Sequence, residues 1–279
     1  EYPAPGGLLL LTLEEEDFSD LYPRFFRYTL SVRKDGVLAA LFRTNTYEYT
    51  PTDPLEARTV ALTRSTEWEE ELASTPDRFL ASHARFFHEM PVVPVSDVVI
   101  LQGSPRADGN CGILASWAAQ AARAKGATVQ VIYPHDRYIR PCIGCYQCYN
   151  TGTCIYRDEM DVIIPALEHA RLLVICTPVY TNTVPAGLKL LLDRCQAYHA
   201  WRTLTASSSQ KNGLVFAVAG RKGMENFTCI QSTLRAFLNN LSIPLAGEVL
   251  VDRMDERRDI RTVAGVAEQV QELVHRTLG

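Results

Sequence analysis

The chain has 279 residues, of which 47% are hydrophobic and 22% charged, and a net charge of −4 at pH 7. That length suggests roughly two domains, the composition is that of a globular protein in water, and the charge supplies no broad basic field for nucleic acid. The longest early apolar run, Leu8 to Leu11 continuing to Leu13, is too short for a bilayer span and lacks a signal peptide's basic start and cleavage site. No membrane association is expected. Residue 1 is Glu, so the start is expected to be trimmed or processed. Eight cysteines, four of them clustered and Cys111, Cys176, Cys195 and Cys229 scattered, are not the framework of a small secreted domain. A reducing, cytoplasmic location fits better.

Residues 1–95 read as a small α+β domain of unassigned role. Phe26, Tyr28, Leu30 and Val32 alternate with polar neighbours, Lys34-Asp35-Gly36 supplies a turn, and Val37 to Phe42 returns, which predicts a hairpin. Thr46 to Tyr49 and Arg58 to Leu62, separated by a turn at Pro51 to Pro54, are expected to extend that sheet. Asp77 to Met90 reads as an apolar-faced helix, and Pro91 and Pro94 as a stiff connector.

From Asp97 the pattern becomes strand, helix, strand, helix, the signature of a parallel sheet covered on both faces. Strands are expected at Val98 to Leu101, Thr128 to Tyr133, Leu172 to Cys176, Leu214 to Val218 and Pro244 to Val251. Helices are expected at Asn110 to Lys125, Asp158 to His169, Pro185 to Tyr198, Glu225 to Asn239 and Ile260 to Leu278. Five strands and five helices make a doubly wound α/β domain over residues 96–279. Ser207 to Ser209 reads as a loop.

Four cysteines fall within thirteen residues of this domain: Cys142, Cys145, Cys148 and Cys154, in PCIGCYQCYNTGTC. A single zinc ion is usually wrapped by two ligand pairs a dozen or more residues apart, and no second pair is present. Three thiols at steps of three with a fourth six residues on suit a larger body, a [4Fe–4S] cubane, whose ligands can all come from one loop. A metal-free redox-active or disulfide-forming loop and a zinc site are the alternatives.

Two further segments carry ligand chemistry. In VVILQGSPRADGNC a strand ends and a helix begins, so the loop lies at the carboxyl edge of the sheet, where ligands bind in open α/β folds. Amides at the helix start, the Ser104 hydroxyl and the Arg106 guanidinium can surround a phosphate; helix-end electrostatics alone contribute about 0.3–1 kcal/mol. Asn110 is a plausible cap of that helix. GxGxxG and GK[ST] are both missing from the loop, which points to a mononucleotide phosphate. In CTPVYTNTVPAGLKLLLDR, residues Thr177 to Thr183 lie beside the first loop, where peptide groups can line a flat heterocycle and Tyr180 can flank it. Lys189 and Asp193, four apart on the following helix, read as an exposed pair. A third loop, AVAGRKGMEN, has Gly220 where backbone must approach something closely.

GSPRxxxNC, the CxxCxxCxxxxxC run followed by an acidic helix start at Asp158, then PVY, then LKxxxDR, together resemble the iron–sulfur flavoproteins within the NADPH-dependent FMN reductase group. The resemblance covers about residues 97–275 and implies a flavodoxin-like sheet of strand order 2-1-3-4-5. It implies FMN, with its phosphate near Ser104, Arg106, Asn110 and Cys111 and its ring near Pro178, Val179, Tyr180, Thr181, Asn182, Thr183 and Gly220. It implies a [4Fe–4S] cluster on Cys142, Cys145, Cys148 and Cys154, and a homodimer or homotetramer. The expected activity is electron transfer between ferredoxin or NAD(P)H and a small acceptor. A cluster-free NAD(P)H-dependent FMN or quinone reductase, and a flavin-binding redox sensor or interaction module, are the alternatives. The N-terminal domain has no counterpart in the compact members of that family.

Overall fold

Apolar residues in alternation build an antiparallel sheet from strands β1 (Tyr2–Ala4), β2 (Gly7–Asp17), β3 (Phe26–Lys34) and β4 (Val37–Asn45), in the order β1-β2-β3-β4. The computed structural model describes residues 1–4, 7–49, 54–83, 95–205 and 210–279. The predicted hairpin is β3–β4. Its two turn residues, Asp35 and Gly36, both take positive φ (50° and 84°), the geometry that matches the right-handed twist of the flanking strands. Helix α1 (Pro54–Ser74) and helix α2 (Pro76–His83) cover one face, where Leu9, Leu30, Val32 and Ala40 pack with Trp68, Leu72 and Phe79.

Two strand expectations are overturned here. Thr46–Glu48 is a single 3-10 turn capped by Asn45, and residues 58–62 lie inside α1. The buried positions Ala57, Ala61, Ser65, Trp68 and Leu72 recur at helical spacing, but three of the five are too small to make an apolar stripe legible. Of the helix expected over Asp77 to Met90, α2 ends at His83, and the remainder lies outside the described residues. So do the Pro51 turn, the Pro91–Pro94 connector and the Ser207–Ser209 loop.

The second sheet is parallel throughout. Its strands are β5 (Val98–Gln102), β6 (Val129–Ile132), β7 (Leu172–Pro178), β8 (Asn212–Val218) and β9 (Leu245–Val251), ordered β6-β5-β7-β8-β9. Counted within this sheet the order is 2-1-3-4-5, the flavodoxin-like topology. Every residue of β5 and of β7 is buried, as expected of central strands sheathed on both sides. Val99, Leu101, Leu173 and Ile175 face helices α4 (Met160–His169), α5 (Ala186–Arg194) and α7 (Thr228–Asn240). Val98, Ile100, Leu172 and Val174 face α3 (Asn110–Ala124) and α8 (Val266–Leu278). The helix expected over Pro185 to Tyr198 is interrupted at Cys195 and resumes as α6 (Gln196–Thr205). Among the described residues no helix is long and apolar enough to cross a membrane.

The division of the chain departs from a simple boundary near residue 95. One compact unit comprises Glu1–Met90 together with Ile143–Ile155, and the other Pro91–Cys142 with Tyr156–Gly279. Most of the cysteine run, placed in the second domain by chain order, folds as part of the first.

Candidate flavin site and cysteine loop

The loops that follow β5, β7, β8 and β9 at the carboxyl edge of the parallel sheet surround a cavity of about 970 Å³. The first of them is a tight, internally bonded loop. Ser104 N donates to Gln102 Oε1 (2.9 Å), Arg106 N to Ser104 Oγ (3.1 Å) and Gln102 Nε2 to Arg106 O (3.1 Å). Gly109 N also donates to Arg106 O (3.2 Å). The loop folds so closely on α3 that a Cβ at Gly112 would stand 1.7 Å from Ala107 O. Gly109 occupies the cap position of α3 and supplies no side-chain cap, which leaves first-turn amides for an anion at the cavity wall.

Asn110 is therefore not the cap. It is the first residue of α3, and its side chain reaches across the cavity rim: Nδ2 donates to Arg258 O (3.2 Å), and Oδ1 accepts from Ile260 N (3.0 Å). Cys111 is buried and its thiol is pushed up to about 12 by desolvation; burial likewise raises Cys176. Both side chains pack in the core that faces α3.

Ser104, Arg106, Asn110, Cys111, Pro178, Val179, Tyr180, Thr181, Asn182 and Gly220 all line the cavity; Thr183 does not. Thr183 instead closes the turn, with Tyr180 N donating to Thr183 O (2.8 Å) and Thr183 N to Tyr180 O (3.0 Å). Thr181 and Asn182 at its tip have φ of 46° and 61°, a conformation unusual for a β-branched residue. A Cβ on Gly220 would lie 2.5 Å from Asp255 Oδ2, and the Asp255 amide donates to Gly220 O (3.0 Å), which ties this loop to the next.

Three arginines in the wall carried no signal of their own. Arg221, Arg258 and Arg261 join Arg106 there, and Asp108, Asp255 and Asp259 line the same cavity. In sequence the run RMDERRDIR reads as a solvated charged stretch. Arg258 (φ 66°) lies on the loop that Asn110 fastens. Arg261 pairs with Asp259 at 2.7 Å and, with the Arg261 backbone amide, holds that carboxyl below the usual range.

In the same unit the two stems of the cysteine loop are tied together. Arg194 at the end of α5 donates from Nη1 to Asp158 Oδ2 (2.6 Å) and to Arg140 O (2.6 Å), and from Nη2 to Asp158 Oδ1 (3.2 Å). Asp158 also accepts from Arg140 N (3.0 Å) and Met160 N (3.1 Å). Both charged side chains have no exposed surface. The Arg140 guanidinium lies 3.9 Å from the centre of the Tyr156 ring. In LKxxxDR the last residue thus matters most, whereas Lys189 and Asp193 form an exposed pair at 2.8 Å.

Of the four cysteines of the run, Cys142 is exposed, Cys145 and Cys154 are partly buried and Cys148 is buried. Gly144, Tyr146 and Gly152 all have positive φ (64°, 56° and 76°) and bend the loop sharply. The donor set suits an iron–sulfur cluster in number and chemistry. Among the described residues no three His, Cys, Asp or Glu side chains are gathered as for a single metal ion.

The family profile for NADPH-dependent FMN reductase matches residues 96–253. An iron–sulfur flavoprotein of Methanocaldococcus jannaschii is 33% identical over 141 residues, 50% of this chain and 71% of that protein. One from Methanosarcina thermophila is 28% identical over 132 residues, 47% of this chain and 68% of the other. Among solved structures, an azoreductase from Bacillus anthracis is 10% identical with a TM-score of 0.49, over 64% of this chain and 98% of that one. With more than half of its length inside the family match, this chain belongs to the NADPH-dependent FMN reductase family, among its iron–sulfur flavoproteins, and is a flavin-dependent oxidoreductase.

Proposed function

We propose that the cavity binds FMN and that Cys142, Cys145, Cys148 and Cys154 hold a [4Fe–4S] cluster, so that the protein passes electrons between ferredoxin or NAD(P)H and a small acceptor, working as a homodimer or homotetramer. The observation that carries the flavin reading is the tight loop of residues 103–109 pressed onto an uncapped helix start, facing a cavity of about 970 Å³. The spacing of the four cysteines carries the cluster reading.

FMN exchanges electrons in pairs or singly and a cluster passes them singly, so the two together couple a two-electron donor to a one-electron carrier. The chain's own residues do the holding. The Ser104 hydroxyl, the first-turn amides of α3 and the Arg106 guanidinium receive the phosphate dianion, with Asn110 keeping the Arg258 loop against them. The turn from Pro178 to Asn182 offers peptide groups and the half-exposed Tyr180 ring to the flavin, and Gly220 makes room for the Asp255 carboxylate beside it. No acid or base is assigned, since electron transfer asks chiefly for placement.

Removing the guanidinium in Arg106→Ala is expected to weaken FMN binding by about 10- to 100-fold, the worth of one charge-assisted hydrogen bond. Flavin fluorescence titration of the apoprotein reads this directly; an unchanged affinity would refute the phosphate assignment. Protein purified without oxygen should contain about four irons, four sulfides and one flavin per chain, the stoichiometry of one [4Fe–4S] cluster beside one FMN. Full flavin with no iron after reconstitution would establish instead the cluster-free reductase.

A further inference from the structure

The polar face of the β3–β4 hairpin is buried, although its alternation reads as a solvent face. Arg27, Thr29 and Ser31 are all buried, and residues 143–155 of the same unit meet this face at Arg27 and at its neighbour Arg43. Arg27 Nη1 donates to Tyr149 O and Arg43 Nη1 to Asn150 O, each at 2.8 Å. Those carbonyls belong to the helical turn Cys148–Thr151, too short to satisfy its own last carbonyls. The two guanidiniums take the place of the missing turn. Asn45 Nδ2 donates to Tyr146 O (3.3 Å) and to Asn150 Oδ1 (2.9 Å). Glu48 accepts from both Gln147 Nε2 and Asn150 Nδ2. Around these bonds the rings of Tyr22, Phe25 and Tyr47 pack on Tyr146 and Tyr149, with centroids 4.8–5.8 Å apart.

The partners are themselves braced. Arg27 Nε donates to Glu16 Oε2 (2.7 Å), Thr29 Oγ1 to the same atom (2.8 Å), and Arg43 Nε to Thr29 Oγ1 (3.2 Å). Every backbone atom engaged lies within two residues of Cys148, and Tyr146, a tyrosine at φ 56°, is held there by bonds and rings from the sheet. Ordering so short a polar segment costs about 1–2 kcal/mol per residue in backbone entropy, which the bonds and rings from the N-terminal residues oppose.

We propose that the N-terminal sheet is the holder of the cysteine loop: Arg27, Arg43, Asn45 and Glu48 are positioning residues that fix the backbone of Tyr146 to Asn150 and so decide where the Cys148 thiol stands. The metal side of this inference rests on the cluster reading above; the holding itself does not.

The test uses the full-length chain. Arg43→Met keeps the side-chain stem and removes both donors, while Gln147→Glu sets a carboxylate against Glu48 from the loop side without altering the sheet. In iron-free protein, both variants are expected to speed iodoacetamide labelling of Cys148 about tenfold or more, read by peptide mass spectrometry. Amide exchange should rise over Tyr146 to Asn150 and stay unchanged over Val98 to Gln102, with flavin content preserved. Arg43→Lys should restore much of the protection. In iron-loaded protein, the electron paramagnetic resonance line shape of the reduced cluster should change in Arg43→Met and return in Arg43→Lys. Wild-type labelling and exchange in both variants would overturn the holder, as would an Arg43→Lys protein no better protected than Arg43→Met. Absence of iron from the wild type would defeat the cluster reading alone, because the labelling experiment needs no metal.

Discussion

Gly112→Ala is expected to reduce FMN affinity by 100-fold or more while leaving the helical content of the protein intact. Helix propensity predicts the opposite sign, since glycine inside a helix costs about 1 kcal/mol relative to alanine. Packing outweighs that preference. The added Cβ would stand 1.7 Å from Ala107 O and 2.8 Å from Ala107 C, both backbone atoms, so no side-chain rotation relieves the overlap. The loop must move. Its internal bonds from Gln102 and Ser104 move with it, and the groups proposed to receive the phosphate lose their common focus. A loss of about 3 kcal/mol corresponds to more than 100-fold in affinity. Flavin titration together with far-ultraviolet circular dichroism checks it; full affinity in the alanine protein would mean that the loop does not bind FMN.

Asp158→Asn is expected to cost about 3–5 kcal/mol in global stability, the range for breaking a buried ion pair and leaving one charge uncompensated. The charge left behind is Arg194, which has no exposed surface. Arg194→Met should cost a similar amount. The double variant should cost less than the sum, because neither charge is then stranded. The pH dependence has a definite sign. Burial pushes the Asp158 carboxyl up, but the Arg194 guanidinium and the amides of Arg140 and Met160 outweigh it and hold it below the usual range. A depressed carboxylate contributes its stability above the unfolded value, about 3.9, and loses it as pH falls through the folded value. Urea midpoints of wild type and Asp158→Asn should therefore lie far apart at pH 7 and converge below about pH 4. A gap that persists in acid would mean that the cost comes from the hydrogen bonds and not from the charge.

Some of this architecture could be read from short windows. The strands and helices of residues 97–279 announce themselves by period and by turn chemistry, because each repeats its pattern over adjacent positions. The loops after Gln102 and after Pro178 that line the cavity follow from that reading, since a strand-to-helix junction in a parallel sheet can only emerge at the carboxyl edge. Thr46–Glu48 and the stretch 58–62 misled, being rich in threonine, tyrosine and valine; α1 is a helix because Ala57, Ala61, Trp68 and Leu72 find the sheet at helical spacing.

What the amino-acid order determined by itself was the parallel fold, the thiol spacing and the loops at the sheet edge, all properties of neighbours along the chain. Only the tertiary structure decided that Asn110 fastens Arg258, 148 residues away, and that Arg27 holds Tyr149, 122 residues away. It likewise turned Arg194 from a helix-end cation into the tie between Arg140 and Asp158. A buried guanidinium or amide takes whichever partner folding brings within hydrogen-bond reach, and that choice leaves no periodic trace in the residues around it.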